Sequence, residues 1–311
     1  MKGLELSRAL FRDRAEKELK ARFPELFGRL AFGLVGNGSE CFGFDDEISR
    51  DHDWGADFYV WLPDDLEARA AELNTWKAGL LEGCGDLPIR RPGRYGAGIS
   101  AVTVGGFYRQ LIGFPAGPQS AREWMSVPES HLALAVNGEV FLDNEGAFTA
   151  VRDRLCRHYP RDVLLQRMSA RCMLLAQTGQ YNLSRCHRRG DNVAAALTLA
   201  RFTEQAIWMA HLLNGRYMPY YKWAFRSLSE LPALGPELCP ALEKLALSSS
   251  GTEEDNRRRE SIAEQICRRF ADELRSRGLT TTRDSFLVAH AEQLHTAIED
   301  PFLRSLPPQI G

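Results

Sequence analysis

Two aspartates separated by one residue, Asp51 and Asp53, lie downstream of a small-residue turn, Gly36-Asn37-Gly38-Ser39. Both belong to the stretch LVGNGSECFGFDDEISRDHDWGADFYVWL, which runs from Leu34 to Leu62. If the segment that opens at Asp51 and ends in Phe58-Tyr59-Val60-Trp61-Leu62 is a strand, its period of two turns both carboxylates to one side. Carboxylates so placed repel each other unless a cation lies between them. Hard oxygen ligands at that spacing suit Mg²⁺, which keeps several waters and takes one or two carboxylates plus substrate phosphates. In the turn, glycine leaves no Cβ between the backbone N–H groups and an approaching anion. A phosphate cradle beside a metal-binding carboxylate pair is the apparatus of phosphoryl or nucleotidyl transfer.

Taken in order, Gly38-Ser39 and then Ser49-Arg50-Asp51-His52-Asp53 resemble the Gly-Ser…Asp-x-Asp signature of the DNA polymerase beta-like nucleotidyltransferase superfamily. That superfamily includes the antibiotic and the minimal nucleotidyltransferases. The fuller string, GSECFGFDDEISRDHDWG, resembles a branch of it known as a domain of unknown function. The resemblance implies a nucleoside triphosphate held at Gly38 and Ser39, and Mg²⁺ held by Asp51 and Asp53 as the catalytic carboxylates. It also implies a helical partner domain, with substrate between the two. Two other metal chemistries fit less well. No Asp-x-Asp-x-Asp-Gly run reaches a Glu at the offset of a calcium loop. His52-Asp53 as a phosphohydrolase pair lacks the further upstream His, since no His precedes His52.

The elements that must position these residues follow from periodicity. Leu6, Leu10, Phe11, Ala15 and Leu19 recur at helical spacing up to Pro24, which predicts an amphipathic helix. A first strand is expected near Leu30 to Val35, a second up to Leu62, and a helix from Pro63-Asp64-Asp65 to Leu81. Residues 83–98 are rich in Gly, Pro and Arg and read as loop; Arg90, Arg91 and Arg94 there reach either solvent or a triphosphate. A third strand, Ile99 to Val104, carries no carboxylate, whereas many relatives place a third metal ligand there. Asn137-Gly138 is a hairpin signal, with Val140-Phe141-Leu142-Asp143 as the returning strand. Glu139 then sits in the turn, and Asp143 ends the strand.

From Phe148 onward helical periodicity dominates, with stops at Pro160, Gly190, Pro219, Pro232 and Pro240. The expected architecture is therefore α+β: a mixed sheet flanked by helices over residues 1–150, then an all-helical domain over 151–311. Two stretches of that half are dense in polar and aromatic groups, Tyr181 to Asp191 and Asn214 to Trp223. In the first, Tyr181, Arg185, Arg188 and Asp191 are candidate substrate contacts, although Asp191 equally suits the N-cap of the next helix. In the second, Tyr221 is a candidate substrate contact and Lys222 a candidate phosphate contact beside a stacked base. Glu204 lies in an otherwise apolar helix. It faces solvent, pairs with Arg201, or supplies the general base that the third strand lacks. The runs Glu253-Glu254-Asp255 and Arg257-Arg258-Arg259 read as a loop and a solvated helix start.

Composition narrows the partners. A net charge of -2 over 311 residues calls for neither nucleic acid nor an acidic membrane. No apolar run approaches a membrane span, and the first residues are too charged for a secretory signal. Seven cysteines without a C-x-x-C pair predict reduced thiols in a cytoplasmic protein. The expectation is a Mg²⁺-dependent nucleotidyltransferase acting on a small-molecule or protein hydroxyl. The alternative is a catalytically silent nucleotide-binding or antitoxin-like module.

Overall fold

The computed structural model describes residues 1–51, 54–90, 99–248 and 252–311, with backbone alone at residue 51. The chain divides into two compact units. One comprises residues 1–118 and 127–157, the other residues 119–126 and 158–311.

In the first unit the N-terminal apolar stripe coils as its spacing dictates. Helix α1 (Gly3–Leu10) continues through a π-helical turn, Phe11–Ala15, into α2 (Glu16–Arg22). Pro24 then opens the short α3 (Pro24–Phe27), where a missing N–H costs nothing. Four strands follow: β1 (Ala31–Leu34), β2 (Tyr59–Leu62), β3 (Ala101–Thr103) and β4 (Glu139–Asp143), in the spatial order β3-β2-β1-β4. β1 is antiparallel to both of its neighbours, while β2 and β3 are parallel. A parallel pair needs a long crossover, and α4 (Ala70–Glu82) provides it.

Helices cover both faces of the sheet. On one, Phe32, Val60 and Leu62 share a core with Leu73, Trp76 and Leu80 of α4. Phe11, from the π-helical turn, joins them with its ring 4.8 Å from that of Phe32. On the other face Trp61 stacks at 3.6 Å on Phe148 of a later helix. Each such fully buried aromatic contributes about 2–3 kcal/mol. After β3 come α5 (Val104–Ile112), α6 (Ala121–Ser126, part of the second unit), α7 (Glu129–Val136) and α8 (Ala147–Cys156), which carries Phe148.

The expected hairpin at Asn137-Gly138 does not form. Leu132 to Val136 belongs to α7, whose buried Glu129, Leu132, Ala133 and Ala135 follow helical spacing. The Asn-Gly pair is instead a helix-to-strand turn, and β4 pairs with β1.

The second unit is helical. It contains α9 (Arg161–Leu175), a π-helical turn (Ala176–Asn182), α10 (Leu183–Arg188), α11 (Asn192–Leu213) and α12 (Tyr221–Ser229). It continues with α13 (Gly235–Leu247), α14 (Glu253–Ser276), α15 (Leu287–Thr296) and α16 (Pro301–Arg304). Pro240 lies inside α13 and does not end a helix, so one intrahelical hydrogen bond is forgone. The architecture as a whole is α+β, with a small mixed sheet flanked by helices and a helical C-terminal region. Among the described residues no helix is long and apolar enough to cross a membrane.

Candidate functional site

β1 delivers the chain into the turn Gly36-Asn37-Gly38-Ser39. Gly36 has φ +110° and Gly38 φ +123°, regions that residues with a Cβ rarely adopt. Ser39 returns to helical dihedrals and starts a 3₁₀ turn, Glu40–Phe42. Among the described residues, no acceptor meets the backbone N–H of Asn37, Gly38 or Ser39. Three consecutive donors in a turn shaped by two positive-φ glycines form the kind of nest that holds an anion.

The turn is held from three sides. Asn137 brackets Gly36: its Oδ1 accepts from the Gly36 N–H at 2.8 Å, and its Nδ2 donates to the Gly36 carbonyl at 2.8 Å. Beside it, the Gly138 N–H donates to the Cys41 carbonyl at 2.7 Å. The side chain of Arg90 donates to the Asn37 carbonyl at 3.2 Å and forms an ion pair with Glu40. The Glu40 carboxylate in turn sits against Gly38, where an added Cβ would come 2.5 Å from Oε2. Only glycine fits there.

Arg90 is therefore not the solvated loop arginine that composition suggests; it is 8% exposed and its partner Glu40 1%. Its backbone explains how it arrives. Residues 88–90 run alongside Ala56, whose N–H donates to the Pro88 carbonyl and whose carbonyl accepts from the Arg90 N–H. Gly55 permits the approach, since a Cβ there would lie 2.6 Å from the Pro88 carbonyl oxygen. Arg91 and Arg94 lie outside the described residues.

A second buried pair, Asp57 and Lys77 at 2.6 Å, lies within reach of the Arg90 charge. Burial pushes the Asp57 carboxyl up and the Lys77 ammonium down, and each partner's charge opposes that. The Phe58 N–H donates to Asp57, and Lys77 donates to the Ile99 carbonyl, so the pair is also hydrogen-bonded. Asp45 fastens the acidic loop to the N-terminus. Burial raises its carboxyl, but donors from Trp54 and Gly3 and the Lys2 ammonium outweigh this and hold it below the usual carboxylate value.

Asp51 does not lie on β2 as expected. Asp51 ends a 3₁₀ turn, Ile48–Asp51, and β2 begins only at Tyr59. The cause is local. Asp46 Oδ1 accepts from both the N–H and the hydroxyl of Ser49, a cap that coils the chain where the strand was expected. Asp51 therefore lies outside β2, and His52 and Asp53 lie outside the described residues. Among the described residues no group of three or more His, Cys, Asp or Glu side chains is arranged to hold a metal. β3 carries no carboxylate, and Glu40, Asp45 and Asp57 are each engaged by a cation.

In the second unit the expected contacts separate into groups. The Arg185 guanidinium lies over the Tyr181 ring at 4.7 Å and donates to its hydroxyl at 2.7 Å. Arg188 is exposed at the end of α10, and Asp191 caps α11 by accepting from the Ala194 N–H at 2.9 Å. Lys222 is exposed, with its ammonium 5.0 Å from the Trp223 ring centre. Glu204 and Tyr221 come together on the rim of a cavity of about 650 Å³. Glu204 is exposed and forms no ion pair with Arg201 among the described residues. Sequence reasoning missed Glu40 and Asn137, and named Arg90 only as one of three loop arginines without its buried partner. The buried pair links residues fifty positions apart, and Asn137 carried a hairpin signal that its helix overrode.

The sequence profile of a family described as a domain of unknown function (DUF4037) matches residues 124–224, about a third of the chain. That span does not include the turn or the aspartates. No curated protein matches the chain. Among solved structures, the chain is similar to a nucleotidyltransferase-like protein from Exiguobacterium sibiricum 255-15. The match has 14% identity, covers 89% of this chain and 81% of the other, and has a TM-score of 0.36.

Proposed function

We propose that this protein is a Mg²⁺-dependent nucleotidyltransferase that moves a nucleoside monophosphate from a nucleoside triphosphate to a hydroxyl of a small molecule or protein. The observation that carries the reading is the braced turn, with the N–H groups of Asn37, Gly38 and Ser39 presented without an acceptor among the described residues. Such donors stabilise phosphate oxygens without reorganising when charge develops. Ser39 adds a hydroxyl to the cradle. Asp51 and Asp53 would hold the Mg²⁺, which when bound neutralises phosphate charge. The acceptor oxygen bonds to the α-phosphorus, the bond to the β-phosphate oxygen breaks, and pyrophosphate leaves. Holding acceptor and triphosphate in line supplies much of the acceleration. Lys222 is assigned to the nucleotide as a point charge for phosphate. Tyr181, Arg185, Arg188, Asp191, Glu204 and Tyr221 are assigned to the acceptor.

The experiment is transfer of label from each nucleoside triphosphate to a panel of acceptors, comparing the unsubstituted protein with Asp51→Ala. Asp51→Ala is expected to lower transfer at least a hundredfold; transfer unchanged by it would sink the mechanism. One observation favours a second reading, a nucleotide-binding module without turnover: Glu40, Asp45 and Asp57 are each already engaged by a cationic partner. Tight nucleotide binding without transfer to any acceptor would select that reading.

A further inference from the structure

The cavity in the second unit is walled by one stripe of α11, Leu199, Thr203 and Ile207 among others, together with Met218, Ala224 of α12, Leu245 of α13 and Arg259 of α14. Its volume, about 650 Å³, falls in the range of small-molecule sites, and its wall is predominantly apolar. Arg259 is the exception. The residue is only 8% exposed. Nε donates to the Ser248 hydroxyl at 2.8 Å and Nη2 to the Ser248 carbonyl, which anchors the guanidinium at the C-terminal end of α13. Nη1 donates to nothing among the described residues, and no described carboxylate lies within ion-pair distance. Nη1 is thus the open edge of an otherwise anchored guanidinium, free to donate a charge-assisted hydrogen bond to an entering anion. At the rim, Arg201 and Glu204 face the same opening with opposite charges, so Arg259 remains the cation in excess.

We propose that this cavity binds a small organic anion with an apolar body: the body packs on Leu199, Ile207, Met218 and Leu245, and its anionic group meets Arg259. The site lies wholly within the second unit and does not depend on the nucleotide reading. The anionic group is a carboxylate or a phosphate, and a matched set of probes separates them: 2-naphthoate, 2-naphthyl phosphate and the neutral 2-naphthol.

Calorimetric titration of the full chain with each probe is the test. At least one of the two anions is expected to bind at a single site at least tenfold more tightly than 2-naphthol, and the tighter anion identifies the head group. Arg259→Met is expected to remove that preference while leaving 2-naphthol affinity within about twofold. Ala200→Trp, on the exposed part of the lining, should weaken all three probes by filling the space. If Arg259→Met fails to fold, Arg259→Lys keeps the charge without the fork to Ser248 and should retain the anion preference. A purely structural role for Arg259 would leave the ratio of anion to neutral affinity unchanged. That result, equal binding of all three probes, or no saturable binding would overturn the proposal.

Discussion

Glu40 and Arg90 carry opposite charges that are almost entirely removed from water. Such a pair gains little over an apolar one, but removing a single partner strands a buried charge. Its role at the turn is positional: Arg90 spans Glu40 and the Asn37 carbonyl, and Glu40 lies against Gly38. We expect Arg90→Met to cost about 3–5 kcal/mol in denaturant unfolding, and Glu40→Gln with Arg90→Met together to cost less than the single change. Strictly additive costs would show that the pair is not coupled. Neither residue could be assigned from sequence. Glu40 follows the Gly-Ser pair and reads as part of the acidic loop, and Arg90 sits in a Pro- and Arg-rich stretch. Only the pairing of residues 88–90 with Ala56 brings them together.

At the level of elements, the strands were legible because their apolar runs are short, continuous and bounded by Gly or Pro, as buried strands require. The N-terminal helix was legible because Leu6 to Leu19 keep one stripe across a π-helical turn. Two local signals misled. Asn137-Gly138 has hairpin chemistry, but the Ala- and Leu-rich segment before it is a better helix former, so the turn joins α7 to β4. The Asp51-His52-Asp53 run precedes an apolar strand, but Asp46 and Ser49 cap a 3₁₀ turn first. The same Asn137 then serves the site through two hydrogen bonds to Gly36. Asn137→Ala is expected to cost about 1–3 kcal/mol and to weaken nucleotide binding at least fivefold, because the cradle loses its bracket. Nucleotide affinity unaffected by this change would mean that the Gly36 end of the turn does not contribute to binding.

On the scale of the whole molecule, acid should act on the helical unit through its buried histidines. Burial lowers both His158 and His211 to about 4 from an ordinary value near 6.5. His211 is locked in the neutral form: Nδ1 donates to the Ile207 carbonyl at 2.8 Å, and Nε2 accepts from the Ser227 hydroxyl at 2.8 Å. The unfolded chain takes up these protons near pH 6.5, whereas the folded unit resists until about pH 4. The stability they represent is thus complete above pH 6.5 and is lost as pH falls towards 4, on the order of 3 kcal/mol per histidine. Thermal unfolding followed between pH 7 and 4 should show this decline, and His211→Gln should flatten it. An unchanged slope in His211→Gln would exclude that histidine as a source.

The central claim is that the Gly36–Ser39 turn receives the phosphates of a nucleotide, and the turn's own amides report on it. The measurement is titration of ¹⁵N-labelled protein with a non-hydrolysable nucleoside triphosphate and Mg²⁺, following backbone amide shifts. Binding at the cradle predicts large, saturable shifts at Asn37, Gly38 and Ser39, in step with one another and lost in Gly38→Ala if that variant folds. Saturable shifts confined to other residues, with these three amides unmoved, would contradict the account.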